Sequence, residues 1–154
     1  MARDLEHPGV LYPATAVEHG PGDWTVELVD WPEVAAGGAS FEEARRDAVG
    51  ALEEAALHRL AVGDPIPSPS ARSRGQTEIG LTPLAVLKIA LNRWVDHHGR
   101  GAQSELARRL GWDSRGVRQV LAPKKGKVST DRLVEAATAA GYCVEVTLHP
   151  VRRG

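Results

Sequence analysis

The chain has few cysteine and aromatic residues, and it lacks a long apolar run. Its 154 residues include one cysteine, Cys143. Because a disulfide needs two cysteines, an intramolecular disulfide is excluded. We see no apolar signal region at the N-terminus and no run of about 18 apolar residues, the length that a membrane-spanning helix requires. No pattern indicates a metal site or a cofactor. We therefore expect a soluble cytoplasmic protein in which Cys143 is a small buried residue of an apolar alternation.

Charge is divided unequally between the two halves of the chain. Residues 1–70 hold 4 Lys+Arg against 13 Asp+Glu, whereas residues 71–154 hold 15 against 7, although the whole chain has a net charge of only −1. A basic half is typical of a nucleic-acid-binding region, and an acidic half suits a basic partner. The charge division predicts two regions with different partners.

The first half has the pattern of strands followed by one helix. The segments "LYPATAVEH" and "WTVELVDW" alternate in polarity, "HGPGD" between them is a turn by composition, and "WPEVAAGG" suits a shorter third strand. Ser40 followed by Glu43 forms a capping-box pattern, which predicts a helix that ends at Gly63. Prolines in "DPIPSPSARSRGQ" then indicate a stiff linker.

The second half has a mainly helical pattern. After a short apolar stretch near Glu78–Leu81, we predict a helix from Pro83 to His97 and a later helix in "TDRLVEAATAAG". The terminal "YCVEVTLHP" alternates as a strand. A lone strand needs a partner, so we expect it to pair either with Glu78–Leu81 or with the same strand of a second subunit.

The segment from Gln103 to Leu121, "QSELARRLGWDSRGVRQVL", contains two short helical patterns on either side of Gly111. Gly111 suits the left-handed residue that ends the first helix, and Asp113 or Ser114 suits the cap of the second. Two short helices joined by a tight glycine turn form a helix-turn-helix, which places its second helix in the DNA major groove. Gly116, inside that second helix, is interpreted as a site of close approach.

The polar residues of this segment predict a DNA-binding surface. Arg and Gln side chains can form two hydrogen bonds to one base edge. Lysines beyond the helix can bind backbone phosphates. We expect base contacts from Ser114, Arg115, Arg118 and Gln119, and phosphate contacts from Ser104, Lys124, Lys125 and Lys127. The alternative is an ordinary helical hairpin with a solvated basic face.

Residues 11–70 resemble the HicB antitoxins of bacterial type II toxin–antitoxin systems. The resemblance rests on "YPA" in the first strand, "DWTVELVDWPEV" followed by a glycine pair, "SFEEARRDAVGALEEAAL" and the closing "GDPIPSPS". The second half is similar to the helix-turn-helix variant of that family. Two departures are the turn "AGGAS", where the family has an acidic or threonine-bearing turn, and Trp31, where it has Phe or Leu before proline.

The resemblance implies an α+β fold, in which a partial RNase H-like β-β-β-α-β domain precedes a helix-turn-helix domain with a terminal strand. It implies a toxin-neutralising domain over residues 1–70, a linker and connecting strand over 71–81, and a DNA-binding domain over 82–154. The implied partners are a small, basic, HicA-like mRNA-cleaving toxin and double-stranded operator DNA. The lone terminal strand and the two-fold symmetry of operators lead us to expect a second copy of the chain as well. Candidate toxin-binding residues are Asp23, Trp24, Asp30, Trp31 and Glu33, and a toxin contact is expected of the more exposed tryptophan.

Two other functions are considered. A ribonuclease of this fold needs several carboxylates around metal ions, but Asp23 and Asp30 flank a strand instead of sharing its face, so we predict no catalytic or metal site. His97 and His98 suit a helix end. A plain transcription regulator, with an N-terminal domain that binds a ligand or dimerises, is the alternative, but it leaves the acidic charge unexplained. We predict a non-enzymatic antitoxin that also represses its own operon.

Overall fold

The computed structural model describes residues 11–148 and residue 150, and it has the predicted α+β architecture. Residues 1–10, His149 of the expected terminal strand and residues 151–154 lie outside the described part. Four strands and five helices follow one another as β1 Leu11–Gly20, β2 Asp23–Leu28, β3 Ala35–Gly38, α1 Phe41–Val62, β4 Thr77–Gly80, α2 Pro83–His98, α3 Ala102–Leu110, α4 Ser114–Leu121 and α5 Thr130–Ala139.

The four strands form one antiparallel sheet in the order β3-β2-β1-β4, and α1 covers one face of it. Pairing of Ala14 with Leu28, and of Tyr12 with Ile79, places these four apolar side chains in the buried core. Helix α1 contributes Leu52 and three small residues, Ala44, Ala48 and Ala56, to the core beneath the sheet, and the alanines allow the helix to lie close to the strands. The three strands before α1 and the one after it match the predicted order.

The start of α1 confirms the predicted cap and explains the second glycine of the pair before it. The Ser40 hydroxyl accepts a hydrogen bond from the Glu43 amide, and the Glu43 carboxylate accepts one from the Ala39 amide. Gly63 ends the helix in the left-handed conformation. A Cβ at Gly38 would lie 2.6 Å from the backbone nitrogen of Ala44. The first turn of α1 therefore lies against β3 too closely for any side chain at this position.

Three side chains fasten the proline-rich segment after α1 to the sheet and the helix. The Tyr12 hydroxyl donates to the Pro67 carbonyl at 2.7 Å, and Arg59 donates to the Pro65 carbonyl at 3.0 Å. The Asp30 carboxylate accepts from the amide and the hydroxyl of Ser70. Residues 64–70, which the sequence indicated as linker, are thus held on the N-terminal half.

Helix α2 is buried on two faces because it belongs to two hydrophobic cores. Ala85 and Ile89 pack in the core of the sheet and α1, whereas Leu91 and Trp94 pack with α3, α4 and α5. Its buried residues therefore lie on two faces of the helix. Because one unbroken helix serves both cores, it fixes the two halves of the chain against each other.

Helix α2 also holds the C-terminal end of α4. The Lys88 ammonium group is buried and donates to the carbonyls of Gln119, Val120 and Ala122 at 3.3, 3.2 and 2.7 Å. One turn later, Asn92 donates to the Leu121 carbonyl at 2.9 Å. Burial lowers the pKa of Lys88 from the usual lysine value, and the positive charge of Lys124 adds to this shift. The last carbonyls of α4, which have no partner within the helix, are satisfied by α2.

The expected terminal strand is not formed among the described residues. Glu78–Gly80 pairs with β1, and residues 142–148 are not part of the sheet. In this carboxy-terminal segment Cys143 is exposed, which corrects the expectation of a buried cysteine. A strand pattern without a neighbouring strand leaves its backbone groups in water, so alternation alone does not produce a strand in a single chain.

Replacing Gly38 by alanine should destabilise the fold, because the new methyl group overlaps the backbone of α1. We expect a loss of about 1–3 kcal/mol in the free energy of unfolding, the usual range for overpacking. The matched control is Gly50→Ala in the middle of α1, where a Cβ would meet nothing within 4 Å. This change should stabilise the protein by about 0.5–1 kcal/mol. Urea unfolding of both variants measures these two changes. A Gly38→Ala variant as stable as the unmodified chain would contradict the close packing of α1 against β3.

Replacing Lys88 by methionine should destabilise the C-terminal half, because the carbonyls at the end of α4 lose a charged donor. The expected loss is about 1.5–3 kcal/mol of unfolding free energy, the range for a hydrogen bond to a charged group. Lys124→Met removes the same charge from an exposed position and should change stability by less than about 0.5 kcal/mol. Equal stabilities of the two variants in denaturant would show that Lys88 does not anchor α4.

Candidate functional site

The four residues predicted to contact bases lie together on the outer surface of α4. Helix α4 buries Gly116, Val117, Val120 and Leu121 against the rest of the C-terminal half. Its opposite surface is exposed and consists of Ser114, Arg115, Arg118 and Gln119. Asp113 caps the helix by accepting a hydrogen bond from the Gly116 amide at 2.8 Å. We call this exposed side of the helix the α4 surface.

A concavity of about 430 Å³ lies between the α4 surface and the loop that follows α4. Three long polar side chains of the helix form one side, and two lysines of the loop contribute to the other. The lining residues are Arg115, Arg118, Gln119, Ala122, Lys124, Gly126, Lys127 and Val128. The structure therefore places five of the eight predicted DNA-binding residues around one cationic concavity.

The remaining predicted residues lie elsewhere. Ser114 is exposed at the start of α4, and Ser104 is exposed on α3. Lys125 does not line the concavity, because its ammonium group lies 2.6 Å from a carboxylate oxygen of Glu53 on α1. The sequence offers no signal for this pairing, since the two residues come from opposite halves of the chain.

Two arginines of the glycine-turn segment are paired with an acid on their own helix. Glu105 accepts hydrogen bonds from Arg108 and from Arg109, at 2.7–3.0 Å. The hydrogen bonds from these two arginines lower the pKa of Glu105 to about 2. Arg109 also donates to the Ala139 carbonyl near the end of α5. The arginines of α3 are thus engaged within the domain, whereas Arg115, Arg118, Lys124 and Lys127 line the concavity.

Gly111 and Gly116 have the local roles that the sequence predicted. Gly111 has a φ angle of 66° and ends α3 in the left-handed conformation. Near Gly116, the Arg132 guanidinium lies 4.1 Å from the centre of the Trp112 ring. A Cβ at Gly116 would lie 3.1 Å from a terminal nitrogen of Arg132. The glycine therefore leaves room for a cation–π contact that joins α5 to the turn before α4.

The candidate toxin-binding residues lie at both ends of β2, and several of them have internal partners. Asp30 binds Ser70, and the Glu33 carboxylate lies 2.7 Å from the Arg59 guanidinium. The hydrogen bond from Arg59 lowers the pKa of Glu33. Asp23, in contrast, is exposed at the first position of β2.

The two tryptophans of this region differ in burial. Trp24 is half-buried, with its ring edge against Phe41 of α1 at 5.7 Å between ring centres. Trp31 is fully buried beneath Arg59, at right angles to Tyr12. This burial corrects the inclusion of Trp31 among the toxin-binding candidates, because a side chain without exposed surface offers nothing to a partner. Trp24 is the more exposed tryptophan.

The described residues contain no group of three or more His, Cys, Asp or Glu side chains that could hold a metal ion. Asp23 opens β2, whereas Asp30 lies beyond its end and is occupied by Ser70. His98 stacks on Trp94 at the end of α2.

Within residues 11–148 no helix is both long enough and apolar enough to cross a membrane.

The sequence was compared with protein families and with curated proteins. No curated protein matched the chain. Residues 11–90, just over half of the chain, match the family described as HicB_like antitoxin of bacterial toxin-antitoxin system. The matched region spans the whole sheet, α1, the fastened proline-rich segment and the first half of α2. The chain therefore belongs to the HicB-like antitoxin family.

Proposed function

We propose that this chain neutralises a small, basic, HicA-like mRNA-cleaving toxin through its N-terminal half and represses its own operon through its C-terminal half. The observation that carries the proposal is the presence, in one chain of an antitoxin family, of a cationic concavity built on α4. An antitoxin that only binds a toxin has no use for such a surface. The antitoxin family gives the general role, and the concavity supplies the second activity.

The DNA-binding part of the proposal rests on α3, the Gly111 turn and α4. These elements match the order of a helix-turn-helix, in which the second helix enters the major groove. The α4 surface points Arg115, Arg118 and Gln119 away from the core, and these side chain types bond base edges. Lys124 and Lys127 lie on the other side of the concavity and are proposed to bind phosphates.

The toxin-binding part rests on the acidic charge of the first half. A protein that cleaves mRNA needs a basic surface for its substrate, and an acidic antitoxin can attract and cover that surface. Asp23 and the exposed part of Trp24 are adjacent at the start of β2 and remain the best candidates for contact. Asp30 and Glu33 contribute charge, although their carboxylates also bind Ser70 and Arg59.

The toxin partner is tested by purifying the tagged chain from its native host after nuclease treatment and measuring intact masses. A small basic protein in constant proportion is expected. Asp23→Lys should then lower its association rate about tenfold at low salt, through lost electrostatic steering. Glu135→Lys, the same change at an exposed position of α5, should have little effect. Absence of any such protein, with DNA binding retained, would favour the plain transcription regulator.

The DNA partner is tested with the duplex upstream of the gene. Arg118→Ala should lower affinity for this duplex by roughly 5- to 150-fold, the effect of losing one two-point base contact, and should lower affinity for unrelated DNA far less. Arg108→Ala is the control, because Glu105 already pairs with this arginine. Fluorescence anisotropy with both duplexes gives the comparison. Equal losses on both would make Arg118 a phosphate contact.

A homodimer is part of the proposal, and the carboxy-terminal segment is its proposed contact. Val144, Val146 and Leu148 alternate with polar residues and are exposed, the last two at 78% and 87%. At the start of the segment, the Tyr142 hydroxyl donates to the Ala90 carbonyl of α2. A segment of this kind, anchored beside the C-terminal core, suits pairing with its own copy. The resulting two-fold symmetry matches that of operators read by helix-turn-helix dimers.

Pairing of the segment with its own copy in antiparallel orientation has a preferred register. Opposed residues share a face of the ribbon, so the apolar even-numbered residues must face one another. Centring the two-fold axis on Val146 pairs Val144 with Leu148 and Glu145 with Thr147. Centring it on Glu145 would place two like charges opposite each other, which is unfavourable. We therefore propose the register centred on Val146.

Cross-linking tests this register with single cysteines in a Cys143→Ser background. Val146→Cys should form a disulfide with its own copy on mild oxidation, because opposed Cα atoms in an antiparallel pair lie about 4.5–5.5 Å apart. Val144→Cys should not, because its copy would be four residues distant along the partner strand. The native chain, which carries Cys143, should likewise remain uncross-linked under the same conditions. A Val146→Cys chain that remains uncross-linked would exclude the proposed ribbon.

A further inference from the structure

Glu53 is a buried carboxylate that links the two halves of the chain. It lies on α1, in the N-terminal half, and is only 4% exposed. One carboxylate oxygen accepts a hydrogen bond from the Thr82 hydroxyl. The other lies 2.6 Å from the ammonium nitrogen of Lys125, in the loop after α4. A single side chain of the antitoxin domain therefore contacts both the start of α2 and the loop beside the cationic concavity.

The contact with Thr82 extends to the anchoring of α4. The Thr82 hydroxyl accepts a hydrogen bond from the Ala85 amide and caps α2, the helix from which Lys88 and Asn92 hold the end of α4. The end of α4 and the loop after it are thus fixed from two directions. Helix α2 holds the α4 carbonyls, and Glu53 on α1 holds the loop through Lys125.

The three lysines of the loop differ in direction although they are close in sequence. Lys124 and Lys127 line the concavity, whereas Lys125 is turned toward α1. A carboxylate as buried as Glu53 is poorly screened by salt, and a buried charge that loses its partner is strongly destabilising. A DNA phosphate would have to replace that carboxylate in order to bind Lys125. Among the residues that the structure describes, no buried carboxylate pairs with Lys124 or Lys127.

We propose that Glu53 is a positioning residue for the DNA interface: it holds Lys125 against α1, removes this lysine from the phosphate-binding set, and leaves Lys124 and Lys127 to bind phosphate. This proposal rests on the DNA-binding function proposed above, and it revises the expected phosphate contact of Lys125. It also assigns a residue of the antitoxin domain a direct influence on the DNA-binding loop.

The salt dependence of DNA binding separates the three lysines. Each phosphate contact contributes about 0.9 to the slope of the logarithm of affinity against the logarithm of salt concentration. Lys124→Ala and Lys127→Ala should each reduce this slope by about 0.9, and Lys125→Ala should leave it unchanged. Because Lys125→Ala leaves Glu53 buried without its cation, the double variant Glu53→Gln/Lys125→Ala repeats the test with both charges removed. A slope reduced by about 0.9 in the double variant would overturn the proposal.

Releasing Lys125 gives the second test. Glu53→Gln should make the slope steeper by about 0.9, because Lys125 becomes free to bind phosphate. The control is Glu54→Gln, which removes the same charge from an exposed neighbouring position on α1. Equal slopes for the two variants would overturn the positioning role, since a general charge effect acts on both alike. If the unmodified chain shows no salt-dependent affinity for duplex DNA, the DNA-binding function itself fails, which these comparisons distinguish from failure at Glu53.

Discussion

The structure depends on the burial of α2 in two hydrophobic cores at once. Ala85 and Ile89 complete the core under the sheet, and Leu91 and Trp94 complete the core of the C-terminal helices. Each core thus takes buried apolar side chains from this one helix. The same helix supplies Lys88 and Asn92, whose hydrogen bonds hold the end of α4. Packing and the placement of the α4 surface therefore have a common origin.

Ion pairs and hydrogen bonds within the chain engage some of the charged side chains in each half. In the acidic half, Asp30, Glu33 and Glu53 each have a partner within the chain, so part of the negative charge serves the fold. In the basic half, Glu105 pairs with two arginines of α3. Arg115, Arg118, Lys124 and Lys127 line the concavity beside α4. The formal charge of the sequence distinguishes an acidic from a basic half. The internal ion pairs then determine which of these charged side chains are free to contact a partner.

Features set by local pattern were predicted from the sequence. Alternation and helical spacing gave the first three strands and all five helices, and capping chemistry gave the Ser40 start of α1 and the Gly111 turn. The outward position of Arg115, Arg118 and Gln119 also follows from helical spacing once Val117 and Val120 are buried. The fold class and most of the α4 surface were accessible because each depends on residues a few positions apart.

Features set by distant contacts were not predicted. Lys125 looks equivalent to Lys124 in "PKKGK", and only the fold shows that Glu53 lies beside one of them. Trp31 resembles Trp24 in its setting, yet packing under Arg59 buries it completely. The second buried face of α2 has no separate periodicity, because apolar residues on both faces merge into one hydrophobic run. These outcomes depend on which elements meet, and that information is not local.

The double burial of α2 has a consequence for how such a protein can be assembled from parts. The family match ends at residue 90, inside this helix, just before Leu91 and Trp94 of the second core. A different C-terminal domain could not be attached there by a flexible joint, since the helix must continue and present a compatible second face. Exchange of the C-terminal half between relatives would therefore require a junction inside one continuous helix. The junction would also have to keep the apolar residues of the new segment on the same face of that helix. The orientation of the two surfaces is inherited together with that helix.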